Sequence, residues 1–133
     1  MPYLNVKLSE RESPEMTKQI ADILASLTAD ILHKKRELTS IAIEYIEGQR
    51  WIVAGAPISS QGMKTFNLVI HVTEGTNTKD EKARYVKEVF SSLGSVLGKL
   101  HPASYIIIKD VAADSWGYEG ATQEFRYIKG KNL

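Results

Sequence analysis

Residues 3–32 have the sequence YLNVKLSERESPEMTKQIADILASLTADIL, in which strand periodicity is followed by helical periodicity. Apolar side chains alternate with other residues over Tyr3–Leu8, which predicts a strand with one buried face. Ser13-Pro14-Glu15 supplies an N-cap, a proline at the first helical position and an acid in the first turn. Apolar residues then recur at helical spacing, so we expect a helix from about Pro14 to Leu32.

The same order of elements occurs twice along the chain. A second strand rich in β-branched residues is predicted over Thr39–Ile46. The pattern then restarts with alternation over Phe66–Val72, a capping box over Thr78–Glu81 and a further helical stripe. Ser104–Val111 is predicted to be the closing strand. The helical stripes match at an offset of 66 positions and the strands that follow them at 65, which indicates an internal repeat.

Each repeat is a β-α-β unit, one over about residues 2–62 and the other over about 63–133. Strands of such a unit run parallel and are joined by a right-handed crossover. We therefore predict an α+β fold with one domain over residues 1–133, a four-stranded mixed sheet and both helices on one sheet face. The other face is left uncovered and is partly apolar, so we expect an oligomer.

The composition limits the classes of function. Seventeen basic and sixteen acidic residues leave a net charge of +1, which argues against a nucleic-acid-binding surface. No apolar run approaches the ~20 residues of a membrane span. The chain has no cysteine, so a disulfide, a thiolate nucleophile and a sulfur-ligated metal are excluded, and the three histidines do not have metal-site spacing. These features predict a cytoplasmic protein.

Pro2 directly follows Met1 and precedes the first strand. Proline is tolerated at the first residue of a strand because its missing N–H is not needed there, and this structural role alone accounts for it. Removal of Met1 would instead leave Pro2 as a free secondary amine, which is a base that no other residue can provide. Both interpretations remain open from the dipeptide alone.

The proline after Met1, the repeated β-α-β unit of about 65 residues and the segment DVAADSWGYEGATQEFRY at 110–127 together resemble the tautomerase superfamily. Its members include 4-oxalocrotonate tautomerase and macrophage migration inhibitory factor. The resemblance covers essentially the whole chain and is closest to fused members, in which one chain holds two units. It implies a homotrimer, Pro2 as the catalytic base and no metal or organic cofactor.

The resemblance also implies four substrate-binding residues. Arg11 lies where a family arginine binds a substrate carboxylate, and Lys34 lies where another branch has a site lysine. Tyr105 matches a pocket tyrosine, and Trp116 matches an aromatic residue that packs over the substrate, with Trp51 at the same place in the first repeat. Each also has a structural alternative: a solvated loop arginine, a cation at a helix C-terminus, or a core or interface aromatic residue.

Two features of the family are missing. The second family arginine falls at Ala42 in the first repeat and near Tyr105 in the second, and neither can bind a carboxylate in bidentate fashion. The paired arginines of the dehalogenase and decarboxylase members are absent from HVTEGTNT at 71–78. We expect a tautomerase that acts on a small-molecule carboxylic acid, a 2-hydroxymuconate-like dienol or phenylpyruvate-like enol. The alternatives are a promiscuous hydratase or dehalogenase, and a non-catalytic trimeric scaffold.

Overall fold

A mixed four-stranded sheet with two long helices packed on one face forms the centre of the fold. The structure is a computed structural model and describes residues 1–130. The elements in chain order are β1 Tyr3–Leu8, α1 Pro14–Leu32, β2 Ser40–Tyr45, β3 Ile52–Val53, β4 Ala56–Pro57, β5 Phe66–Thr73, α2 Lys79–Leu97, β6 Tyr105–Val111, β7 Gly117–Tyr118, β8 Ala121–Thr122 and α3 Gln123–Lys129. The predicted fold class is confirmed.

The helix boundaries follow from local capping. The Ser13 hydroxyl accepts a hydrogen bond from the Met16 N–H at 3.2 Å, and α1 ends at His33, which adopts a left-handed conformation with φ 58°. At the start of α2, Thr78 and Glu81 form the predicted reciprocal capping box. Because these signals lie within a few residues of each helix end, the predicted bounds of α1 agree with the structure.

The order of strands in the sheet is β2-β1-β5-β6. Each repeat contributes one parallel pair, and the two repeats meet through the antiparallel pair β1–β5. In that pair Leu4 lies opposite Ile70 and Val6 lies opposite Leu68, all with no solvent exposure. The start of β1 therefore lies beside the ends of β5 and β6, which decides what can surround the N-terminus.

The predicted offset of 66 between the helices is wrong, because α2 begins 65 positions after α1 and both helices have 19 residues. Tyr85 is therefore the equivalent of Ile20, and both are fully buried, whereas Val86 is 39% exposed and Phe90 is 37% exposed. The apolar stripe expected on α2 is shifted by one residue from the buried face, because Tyr85 has a polar hydroxyl and does not count as apolar in the sequence pattern. Inside the protein this group is hydrogen-bonded to the Thr28 hydroxyl at 2.8 Å, so its burial does not leave it unpaired.

A short hairpin follows the second strand of each repeat and was not predicted from the sequence. The turn between β3 and β4 has positive φ at Ala54 and Gly55, and the turn between β7 and β8 has positive φ at Glu119 and Gly120. Positive φ values at two consecutive residues are typical of the two-residue turns that connect the strands of a β-hairpin. Gly120 thus occupies a tight turn. Beyond the second hairpin the chain forms α3, which packs near the N-terminus.

Candidate active site

A cavity of about 730 Å³ lies at the end of the sheet where β1 begins, which we call the N-terminal end. Met1 lines it together with Lys34 from the segment after α1, residues 73–76 at the end of β5 and just beyond it, and Gln123 and Ile128 from α3. These segments are far apart in sequence and meet because β1 is antiparallel to β5. The N-terminus of the chain therefore opens directly onto a cavity.

Pro2 is buried immediately behind Met1. Its carbonyl oxygen accepts a hydrogen bond from the backbone N–H of Ser40 at 3.2 Å, which fixes the residue at the point where β1 joins β2. Position 2 needs no N–H donor from proline, so its ring can enter the protein without leaving a donor unpaired. The backbone nitrogen of Pro2 is consequently held at a defined place beside the cavity.

The electrostatic environment of the chain terminus favours a neutral amine. Burial lowers the pKa of the Met1 amino group from its usual range, and the positive charges of Lys34 and Arg126 lower it further. Both effects act in the same direction, because desolvation and nearby cations each disfavour the protonated form. An amine at this location is a stronger candidate for a base at neutral pH than an exposed amine.

Lys34 is half-buried at the wall of the cavity. Its ammonium donates a hydrogen bond to the Thr76 hydroxyl at 2.6 Å. Burial lowers the pKa of Lys34, and the negative charges of Glu81 and Asp110 partly oppose this effect. The structure thus brings the predicted residue Lys34 to the same cavity as the N-terminus.

Arg126 was not identified from the sequence, although it lies close to the chain terminus. Its Nη1 atom is 3.5 Å from the sulfur of Met1 and 3.4 Å from Oε1 of Gln123. Its guanidinium stacks over the ring of Tyr118, 4.1 Å from the ring centre. The available sequence signal was that Arg126 is the only arginine in the segment 110–127 that resembles the family.

Trp116 lies at the same end of the sheet, on the face opposite the two long helices. Its ring meets that of His71 edge-on at 6.3 Å, and His71 stacks with Tyr3 at 6.0 Å. A shallow cavity of about 470 Å³ is lined by these three residues. Nδ1 of His71 is buried and has no hydrogen-bond partner within residues 1–130. Trp116 is therefore near the N-terminus without lining the same cavity as Met1.

Arg11 and Tyr105 lie at the opposite end of the sheet within one chain. Arg11 follows the end of β1, and Tyr105 begins β6 opposite Asn67. At ~3.3 Å per residue, the six residues of β1 separate the two ends by roughly 17–20 Å. Neither side chain can reach Pro2 of its own chain across that distance, so a role for them at the same site stays a prediction that requires a neighbouring chain.

The opposite end has a cavity of about 450 Å³ at the position equivalent to the Met1 cavity. It contains Arg11, and Lys64 there forms an ion pair with Glu10 at 2.9 Å. Tyr3 pairs with Ser40 at the start of β2, and Asn67 pairs with Tyr105 at the start of β6, so Tyr3 and Asn67 are equivalent. The residue equivalent to Pro2 is therefore Phe66, which is internal to the chain and fully buried. No free amine is possible at that position, so the two ends of the sheet are chemically different.

Within residues 1–130, no group of three or more histidine, aspartate or glutamate side chains is arranged to hold a metal ion. None of the helices in the same range is both long enough and apolar enough to cross a membrane.

Comparison with protein families gives one match, to the family model described as "Tautomerase enzyme", over residues 2–61 and again over 68–126. The two matched segments correspond to the two repeats. A search of curated proteins found no match.

Solved structures with the same fold cover nearly the whole chain. A fused 4-OT described as a wild-type asymmetric trimer is 18% identical, with a TM-score of 0.81 over 93% of this chain and 98% of that one. A second fused 4-OT, described as a symmetric trimer, is 15% identical, with a TM-score of 0.79 over 92% and 96%. A macrophage migration inhibitory factor homologue from Prochlorococcus marinus is 19% identical, with a TM-score of 0.74 over 90% and 97%.

Proposed function

The chain belongs to the tautomerase family, and on this basis we propose that it is a cofactor-independent tautomerase of enol or dienol carboxylic acids with Pro2 as the general base. The observation that supports this most strongly is the placement of Pro2: it is buried at the start of β1, next to a terminal amine whose pKa is lowered by burial and by two cations. Removal of Met1 would make the secondary amine of Pro2 the chain terminus in this environment.

A base is most effective when its pKa lies near the working pH. An ordinary α-amino group has a pKa of about 7.7–8.0 and is mostly protonated at neutral pH. The amine of Pro2 would lie one residue further into the protein than that of Met1 and would be exposed to the same two charges, Lys34 and Arg126. A lowered pKa would leave it largely neutral and ready to accept a proton.

The reaction needs only one group that accepts and then returns a proton. Pro2 takes a proton from the substrate, and the resulting ammonium delivers it to another atom of the same molecule, so that enol becomes ketone with no atom gained or lost. Lys34 lines the cavity and supplies positive charge where negative charge develops on the enolate oxygen. Such a fixed charge stabilises the transition state more than the ground state.

We further propose that the active form is a homotrimer. Tyr105 is 61% exposed and Ile107 is 42% exposed on the sheet face that no helix covers. Burying apolar side chains of this face against other copies would remove them from water. A trimer would also provide the route by which Arg11 and Tyr105 of one chain approach Pro2 of another. Sedimentation equilibrium is expected to give three times the chain mass, and a monomer at all concentrations would contradict the proposal.

The test of the catalytic proposal compares protein proven by intact mass to begin at Pro2 with a Pro2→Ala variant. Ketonisation of 2-hydroxymuconate and of phenylenolpyruvate is followed by absorbance. The matched control is Pro102→Ala, which alters an exposed proline at the opposite end of the sheet.

We expect Pro2→Ala to lose about 10²–10⁴-fold in kcat, the usual range for a general base, and Pro102→Ala to retain activity. Equal activity in Pro2→Ala would exclude Pro2 as the base. No activity in the protein that begins at Pro2 would favour a non-catalytic trimeric scaffold.

A further inference from the structure

The two repeats end in the same local structure, which allows a position-by-position comparison. In the first repeat Trp51 is followed by the hairpin β3–β4 and a short 3-10 helix over Ile58–Gln61. In the second repeat Trp116 is followed by β7–β8 and α3. The backbone N–H of Ile58 donates to the carbonyl of Trp51 at 2.8 Å, and that of Gln123 donates to the carbonyl of Trp116 at 2.8 Å. The equivalent residues are 65 positions apart.

The first difference lies at the residue that begins the helical turn. Ile58 is fully buried and apolar in the first repeat. Gln123 occupies the same place in the second repeat and lines the Met1 cavity. Its Nε2 atom is buried and has no hydrogen-bond partner in the part of the chain that the structure describes. An unpaired buried donor costs about 1–3 kcal/mol, so a fold that needed only packing here would be better served by an apolar residue.

The second difference lies three residues further along each helix. Gln61 of the first repeat uses its amide to close the hairpin, donating to the carbonyls of Val53 at 2.7 Å and Ala56 at 3.1 Å. Arg126 of the second repeat makes neither bond and stacks instead on Tyr118. No carboxylate within residues 1–130 forms an ion pair with Arg126. Stacking uses the face of the guanidinium and leaves its N–H groups in the plane, where Nη1 makes two long contacts, with the Met1 sulfur at 3.5 Å and with Oε1 of Gln123 at 3.4 Å.

At both positions the second repeat has a hydrogen-bond donor that neither fills the core nor closes the hairpin, and both positions lie at the end of the sheet that holds the N-terminus. We propose that α3 provides the carboxylate-binding group of this site, with Arg126 binding the carboxylate of the enol acid and the Gln123 amide donating an additional hydrogen bond. This inference rests on the proposed function and deepens it. Arg126 supplies the bidentate geometry that is missing at Ala42, the position expected from the family pattern.

Met1 controls access to this group. Arg126 lines a separate cavity of about 460 Å³, whereas Met1 lines the larger cavity, and the Met1 sulfur contacts Arg126 Nη1 at 3.5 Å. Removal of Met1 would therefore create the base and expose the carboxylate-binding arginine in one step. Protein that retains Met1 should bind carboxylates weakly for a steric reason, in addition to lacking a free Pro2 amine.

The test measures binding of an unreactive acid, 3-phenylpropanoate, beside its uncharged carboxamide, by calorimetry. The proteins are wild type beginning at Pro2, wild type retaining Met1, Arg126→Gln, Arg126→Lys and the control Arg50→Gln. Gln is the residue at the equivalent position 61, so the variant is compatible with the local structure, and circular dichroism checks its folding. Arg50 is an exposed arginine in the short 3-10 helix Gly48–Arg50, at the opposite end of the sheet.

We expect Arg126→Gln and retention of Met1 each to raise the Kd for the acid about 10- to 100-fold, the range for a hydrogen bond to a charged group. Arg126→Lys should give a smaller rise, and Arg50→Gln none. The Kd for the carboxamide should change little in any of these proteins. In kinetics, Arg126→Gln should act mainly through KM for phenylenolpyruvate.

An unchanged Kd for the acid in Arg126→Gln would overturn the inference, as would equal losses for acid and carboxamide, or no binding to wild type. Since binding requires no proton transfer, the test is independent of the catalytic proposal. Arg126-dependent binding without Pro2-dependent ketonisation would refute the proposed function alone.

Discussion

Replacing Gln123 with isoleucine should make the protein more stable and less active. The buried Nε2 atom of Gln123 has no partner within residues 1–130, so its removal relieves the cost of an unmade hydrogen bond, about 1–3 kcal/mol. Isoleucine is the residue at the equivalent position 58, where it is 0% exposed. The equivalent position in the first repeat therefore already holds an isoleucine side chain.

The assay is urea unfolding followed by circular dichroism, at one fixed protein concentration because an oligomer's stability depends on concentration. With a urea m-value of about 2 kcal/mol/M, the gain of 1–3 kcal/mol shifts the midpoint upward by roughly 0.5–1.5 M. Loss of the amide donor should at the same time raise KM for phenylenolpyruvate several-fold. A gain in stability with a loss of function is typical of a residue retained for binding.

The reciprocal variant Ile58→Gln is the control. It places an amide at a fully buried apolar position and should cost roughly 2–4 kcal/mol without a direct effect on the Met1 cavity. An unchanged or lowered midpoint for Gln123→Ile would refute the reasoning, because it would show that the Gln123 amide is paired in the folded protein.

Three further outcomes are expected. Lys34→Gln removes a cation that lowers the pKa of the terminal amine, so we expect that pKa to rise. The acid limb of the pH profile of kcat/KM should then move to higher pH, and a shift to lower pH would contradict this. Tyr85→Phe should lower the free energy of unfolding by about 1 kcal/mol in a urea titration, and the loss should disappear in a Thr28→Val background if the 2.8 Å hydrogen bond is its cause. Ile107→Asp should lower the mass measured by sedimentation, whereas Val86→Asp, at a similarly exposed position on α2, should leave it unchanged.

The main elements could be predicted because their signals are local. The bounds of β1 and α1 follow from an alternation of six residues and from caps within one turn of each helix end. The hairpin β7–β8 and helix α3 escaped prediction because strands of two residues and a helix of seven are too short to show a period. The predicted buried face of α2 differs from the observed one by one position, because the polar hydroxyl of Tyr85 argues against burial in the sequence. Only the folded structure shows that this hydroxyl is hydrogen-bonded to Thr28.

The sequence by itself determined the two β-α-β units and the position of Pro2 directly before the first strand, because periodicity, capping and residue order express these features within each segment. The tertiary structure decided which side chains surround the N-terminus. The antiparallel pairing of β1 with β5 puts Lys34, Gln123 and Arg126 at the N-terminus and leaves Arg11 at the far end of the same chain. Contacts between residues more than 100 positions apart depend on strand order and direction, which no local pattern in the chain specifies.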